Sequence, residues 1–259
     1  MTLSARPITE AMRFQSRIIR GNPGTLLPLI TTPFLTATLL AIFDHIGRED
    51  IAAYAVIAPA IMALLGVAIG ESGEIIFRDR NTGVLEAQMG APSSFASVLA
   101  GRIGTVLAFG LIGLVQAWLV AALGFGVIVA VEHLVPFVLA TVLCLVGMVA
   151  MAILMAATFV VGRSVRAFQN AISYPLFLFG GVLVPLELLP TVVEWIGRLF
   201  FLSWVTDLLR DSVLAAPVEN LWPRLGIATL LVGLTLAAAI AVLSRLVQRL
   251  RTTGNVSLV

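Results

Sequence analysis

Lysine is absent from the 259 residues; all 16 basic side chains are arginine. A Walker-type phosphate loop needs a lysine to reach the nucleotide phosphates, so this chain is not a nucleotide-binding subunit of that kind. Schiff-base chemistry goes with it. Charge of either sign is scarce: 12% of residues are charged and 59% are hydrophobic, about half the charged share of a soluble domain. The one cysteine, Cys144, allows no internal disulfide and sits in an apolar run, where a thiol is a small packing group. There are two histidines, His45 and His133, with no H-E-x-x-H pair and no G-x-S-x-G elbow. No acidic cluster suited to a pyrophosphate-bound metal falls inside an apolar run, which leaves an intramembrane enzyme as a minor alternative. No ionisable residue lies near the centre of an apolar run either, which argues against a proton- or sodium-coupled carrier and a charged channel filter. The first 20 residues lack a compact apolar core with a small-residue cleavage site, so no cleavable signal peptide is expected.

What remains is apolar sequence in long runs. A run of about 20 residues matches the hydrocarbon thickness of a bilayer. Inside lipid the backbone must bond to itself, and these runs do not alternate as barrel strands do, so they predict helices. The sequence therefore reads as an all-α membrane protein, one transmembrane domain over 1–259. Six spans are predicted, at 24–43, 51–70, 103–125, 135–162, 168–186 and 225–244. Residues 6–20 precede them, with Ile8, Ala11, Met12, Ile18 and Ile19 at helical spacing and Arg13, Arg17 and Arg20 on another face. That pattern predicts an amphipathic helix lying in the membrane surface, against lipid phosphates.

Six spans put both termini on one side. With the termini inside, the inner segments hold 12 arginines and the outer ones hold Arg48, Arg198, Arg210 and Arg224. Positive charge favours the cytoplasmic side, so both termini are predicted to be cytoplasmic. Gln116, Thr141, Thr158, Gln169 and Asn170 are the polar exceptions within spans, expected to bond between helices.

Two segments stand out. The cytoplasmic stretch 71–102 opens with a dense mix of charge: Glu71, Glu74, Arg78, Asp79, Arg80 and Glu86. Asn81, Thr82 and Gly83 read as a turn or helix cap. Val84, Leu85 and Met89 make a short apolar stripe, and Ala91-Pro92 ends the element. This is either a docking surface for a soluble partner or a solvated loop. The outer stretch 187–224 carries two amphipathic stripes. Val192, Val193, Ile196, Leu199 and Phe200 form one, with Glu194 and Arg198 paired four apart. Val205, Leu208, Leu209 and Val213 form the other, with Asp207 and Asp211 opposite. Neither crosses a bilayer, so the stretch reads as re-entrant or interfacial helices before the last span.

The run from Arg78 to Glu86, followed by Ala91-Pro92, resembles the signature of type-2 ABC exporter permeases, with Val84 where the family usually has Thr. A second similarity covers Pro175, Phe179, Gly180, Gly181, Val182, Pro185, Leu189 and Pro190, with Gly180 at the family's usual Ser. A third, Ser203 to Arg210, has Trp204 about where the family has Pro. The resemblance implies that 71–92 is a coupling helix docking into an ATPase subunit, through Glu71, Glu74, Arg78, Asp79, Arg80, Asn81, Thr82, Gly83, Leu85, Glu86 and Met89. It implies a pathway along spans one, two and five, with Phe34, Phe177, Phe179, Gly180, Gly181, Pro185 and Pro190 as wall or gate residues. No cofactor is expected in this chain. ATP and Mg would sit on a separate ABC ATPase, present in two copies, beside a second or related permease and membrane lipids, with no nucleic acid. The setting implied is a bacterial plasma membrane, which the all-arginine basic set also fits. Two Tyr and four Trp are few for a sugar-conducting path. A hydrophobic small molecule (a drug or antibiotic) or a lipid is therefore the leading cargo, with a polysaccharide or lipid-linked glycan as the alternative.

Overall fold

The computed structural model describes residues 5–21, 28–47, 52–90, 95–161 and 165–253. Eleven α-helices run through them: α1 (Ala5–Gly21), α2 (Pro28–His45), α3 (Ala52–Asn81), α4 (Val84–Gly90), α5 (Phe95–Gly110), α6 (Ile112–Gly124), α7 (Leu134–Val161), α8 (Val165–Phe179), α9 (Thr191–Arg198), α10 (Phe201–Asp211) and α11 (Leu221–Thr253). A 3-10 turn, Leu186–Leu188, lies between α8 and α9. No strand occurs among the described residues.

Four stretches are long and apolar enough to cross a membrane: Ala53–Asn81, Phe95–Gly124, Leu134–Thr158 and Leu221–Arg249. The second joins α5 to α6, because Leu111 carries the hydrogen-bond ladder across the junction. Leu29–His45 is a shorter apolar helix. With 15 residues, α8 is about 22 Å long, short of the roughly 30 Å hydrocarbon core. α9 and α10, of 8 and 11 residues, are shorter still.

α3 is the centre of the bundle, packed by α2, α5, α6, α7 and α8. Ile57, Ile61, Leu65, Ile69, Ile75 and Ile76 are all buried along it, as expected of a helix that is apolar on every side. α7 lies along α11, and both carry buried alanines (Ala140, Ala152 and Ala156; Ala228 and Ala239). Small side chains let helix axes approach closely where lipid gives no hydrophobic drive.

The helices overrun several predicted spans. α3 continues to Asn81, through the charged run expected to leave the membrane at 70. α5 begins at Phe95 rather than 103, and α11 extends over 221–253 rather than 225–244. Residues 24–27 of the first predicted span lie outside the described residues.

The fifth span is corrected in the other direction: its helix stops at Phe179, not 186. The Val182 N–H donates to Phe177 O at 3.1 Å and the Gly181 N–H to Leu178 O at 3.0 Å. Gly181 has φ +62°. These are the paired bonds of a Schellman cap, which needs a left-handed residue where glycine carries no steric penalty. Apolar sequence runs on past this point, but the backbone has already turned.

α1 takes the predicted place and length, with a different inner face. Ala11, Gln15 and Ile19 are its buried residues, while Met12 is exposed. The helix packs along α5. A Cβ added at Gly101 would stand 2.5 Å from Ile8 O and 2.9 Å from the Ala11 Cβ, so only glycine permits this approach.

Two expected interhelical threonines bond within their own helices instead: Thr141 to Phe137 O and Thr158 to Met155 O. Gln116 Oε1 has no partner among the described residues, and the Asn170 side chain lies outside them. Gln169 does bridge helices, donating from Nε2 to Ile69 O at 2.8 Å and Gly70 O at 3.1 Å, which ties α8 to α3.

Candidate functional site

α3 ends at a turn built by Asn81, Thr82 and Gly83, the cap that the sequence suggests. The Thr82 N–H and hydroxyl both donate to Arg78 O, at 3.1 and 2.9 Å, and the Gly83 N–H donates to Arg80 O at 3.1 Å. The chain reverses into α4, whose Leu85 is buried while Val84 is 41% exposed and Ala87 is exposed. The expected apolar stripe of α4 is therefore split between an inward and an outward residue. The side chains of Glu86 and Met89 lie outside the described residues.

The charged run on α3 is not uniformly solvated. Glu71 and Asp79 are buried, at 7% and 5% exposure. Glu74, Arg78 and Arg80 are half-buried, and Asn81, Thr82 and Gly83 are exposed. A helical period explains the division: the α3 face that buries Ile75 and Ile76 also turns Asp79 inward.

Asp79 meets Arg102 of α5. Nη1 of Arg102 donates to Asp79 Oδ2 at 2.5 Å, with the two side chains 1% and 7% exposed. Arg102 Nε donates to Gln15 Oε1 on α1 at 3.1 Å. Gln88 Nε2 on α4 donates to Asp79 Oδ2 at 3.2 Å. The Arg102 guanidinium also lies 5.5 Å from the Phe14 ring centroid, within cation–π range. Four helices thus converge on one buried ion pair: α1, α3, α4 and α5. An Arg with a carboxylate, a neutral amide and an aromatic face has its charge compensated locally, which makes such burial tolerable.

Asp79 is the one residue of this cluster among the sequence candidates. Arg102 counts there only toward membrane orientation, and Gln15 and Gln88 have no role. The sequence signal that could have found them is Gln15 itself, a polar residue in the centre of the Ala11–Ile19 stripe, four residues from each apolar neighbour. A buried amide there requires a polar partner on whatever α1 packs against.

The predicted wall and gate residues do not form one lining. Phe34 on α2 is 71% exposed on the bundle surface. Phe177 is half-buried and stacks edge-on against Tyr174, with ring centroids 6.5 Å apart. Phe179, Gly180 and Gly181 make the cap of α8. A Cβ at Gly180 would lie 2.7 Å from Leu202 Cδ2 of α10, and one at Gly197 of α9 would lie 3.0 Å from Phe179 O. Pro185 and Pro190 precede the 3-10 turn and α9, each with extended ψ (136° and 142°). The glycines and prolines thus fold the segment after α8 back against α9 and α10.

Comparison with characterised proteins finds no matching relative. The sequence does match the family model described as ABC-2 type transporter, over residues 9–214. That span takes in most of α1, the four-helix junction at Asp79 and Arg102, the cap of α8, and both short helices α9 and α10. With well over half of the sequence matched, the chain belongs to the ABC-2 type transporter family.

Proposed function

We propose that this chain is the permease subunit of an ATP-driven exporter whose cargo is a hydrophobic small molecule or a lipid. The ABC-2 membrane domain is the transmembrane subunit; it lacks the ATPase site, and the family typically pairs it with a separate ABC ATPase. In this reading α2, α3, α5–α6, α7 and α11 cross the membrane, and the short α8 together with the capped turn that follows it makes the sixth crossing. Both termini are cytoplasmic in a bacterial plasma membrane, and α9 and α10 are re-entrant helices at the outer face. Two permeases pair around a pathway, and two ATPase subunits carry ATP and Mg.

One observation carries the reading: α4 is a short helix held at the tip of the central helix by buried Leu85 and by the Gln88 bond to the ion-paired Asp79, with Val84 and Ala87 turned outward. A projection fixed on its inner side and presenting Val84 and Ala87 on its outer side is what docking into a cleft requires, and charge scarcity inside the bundle suits an apolar cargo. ATPase docking then acts on Val84, Ala87 and the half-buried Glu74, Arg78 and Arg80. Asp79 fixes the position of α4, and Glu71 stays in the packed interior.

The test is ATP hydrolysis and vesicle transport by the permease co-purified with its ATPase. Val84→Arg with Ala87→Glu should lower cargo transport at least five-fold, with the permease still folded and inserted. Unchanged transport in that variant would remove the basis for placing the ATPase at α4.

A further inference from the structure

Asp79 and Tyr54 lie 25 positions apart on α3, so about 37 Å of helix separates their levels in the bundle. At the Tyr54 level a cavity of about 740 Å³ opens between α3, the turn after α8, α10 and the start of α11. That volume falls within the roughly 300–1,000 Å³ of small-molecule sites. Three arginines and four carboxylates face it: Arg198, Arg210 and Arg224 against Glu187, Asp207, Asp211 and Glu219.

Pairing leaves an instructive remainder. Arg198 Nη1 donates to Asp207 Oδ2 at 2.5 Å, and Arg224 Nη1 to Asp211 Oδ2 at 2.6 Å. Arg210 is 2% exposed. Its Nη2 donates to Val182 O at 2.7 Å, and its guanidinium lies 4.7 Å from the Tyr54 ring centroid. Nη1 stands 3.9 Å from Asp207 Oδ1, beyond hydrogen-bond reach, and neither Nη1 nor Nε has a partner among the described residues. A buried cation with two unused donors is costly, and an acceptor that reaches it recovers that cost. Burial also raises the Asp207 carboxyl above its ordinary value, against the pull of Arg198, and lowers the Arg210 guanidinium.

The least compensated negative charge is at the rim. The Glu187 side chain is 77% exposed and holds a 3.6 Å ion pair with Arg198, which already bonds Asp207. Glu219 is exposed, and its carboxylate makes no ion pair among the described residues. Unused cationic donors are thus deep, and the weakly compensated carboxylates are shallow. Leu214, Pro217 and Ile227 add apolar wall.

We propose that this cavity binds a zwitterionic ligand, its anionic group at Arg210, its ammonium at Glu187 and Glu219, and its apolar part along Leu214 and Ile227. Arg210 lines the cavity, and its two free nitrogens are buried. The anionic group reaches them by taking the place of Asp207 in the loose 3.9 Å ion pair, which costs no hydrogen bond. A simple anion fits less well, because four carboxylates outnumber three arginines around it. The same chemistry is offered by an aminophospholipid head group and by a small soluble zwitterion. The site does not depend on the transport reading, since binding is a property of this chain alone.

The experiment uses the full chain in detergent, without an ATPase. Native mass spectrometry and thermal shift are read with phosphatidylethanolamine, phosphatidylglycerol, free phosphoethanolamine and inorganic phosphate. At least one ethanolamine ligand should bind ten-fold or more tightly than its purely anionic counterpart. Preference confined to the lipid assigns an aminophospholipid head group, and binding of free phosphoethanolamine assigns a soluble zwitterion. R210Q should weaken that binding at least ten-fold. E187Q with E219Q, both at exposed positions, should abolish the ethanolamine preference and carries the test should R210Q not fold. Equal binding of the ethanolamine and purely anionic ligands, no binding of any of them, or a preference that survives E187Q/E219Q would each overturn the proposal.

Discussion

Neutralising Asp79 should cost this protein more than any surface charge change, and the structure sets the size of the effect. In Asp79→Asn the Arg102 guanidinium keeps its 1% exposure and loses the carboxylate it hydrogen-bonds. What remains is the neutral Asn amide, Gln15 Oε1 at 3.1 Å, the face of Phe14 and the more distant Glu71. Removing one member of a buried ion pair typically costs about 3–5 kcal/mol. The pair lies at the end of α3, where water can enter more readily than at mid-bundle, so the lower end, about 3 kcal/mol, is expected. Arg102→Met should cost a similar amount, because Asp79 then keeps only Gln88. The Asp79→Asn, Arg102→Met double variant removes both charges and should be less destabilised than the sum of the two by at least about 2 kcal/mol. Equilibrium unfolding in mixed detergent micelles, followed by tryptophan fluorescence, measures all three. Additive single effects, or an Asp79→Asn variant within about 0.5 kcal/mol of the parent, would refute the idea that this ion pair holds the four helices together.

Gly101→Leu should lift α1 from α5, since even a Cβ meets Ile8 O at 2.5 Å; a cost of about 1–3 kcal/mol follows. Thiol labelling of a cysteine placed at Gln15, slow in the parent, should become fast. Gln169→Leu removes both bonds to the α3 carbonyls and should cost about 1 kcal/mol in the same unfolding assay, with the helices otherwise intact.

The sequence was most legible where a local rule acts alone. α1 follows from an amphipathic period, and the turn after α3 follows from Asn81, Thr82 and Gly83. The Gln169 bridge follows from an amide set in an apolar run, one of two adjacent in α8. It misled where polarity stood in for helix ends. The charges from Glu71 to Arg80 mark the edge of the apolar layer, yet Glu and Arg are good helix formers, so α3 continues through them until Gly83 stops it. Conversely, Val182, Leu183 and Val184 are apolar enough to extend α8, but the Phe179-Gly180-Gly181 sequence permits a left-handed cap, and backbone geometry outweighs hydropathy there. The Arg102 junction was hidden for a different reason: its members lie at 15, 79, 88 and 102, and no spacing rule connects residues from four helices.

The continuity of α3 has a mechanical corollary. Between Pro59 and Asp79, about 30 Å of helix, no further proline intervenes, so the segment behaves as a stiff beam. For a beam pivoting near one end, a tilt of roughly 5° displaces the other by about 2.6 Å. A small rotation imposed at Asp79 thus arrives at Pro59 as a shift of nearly a water molecule's width, and the proline is where the Tyr54 end can bend to follow it or stay behind.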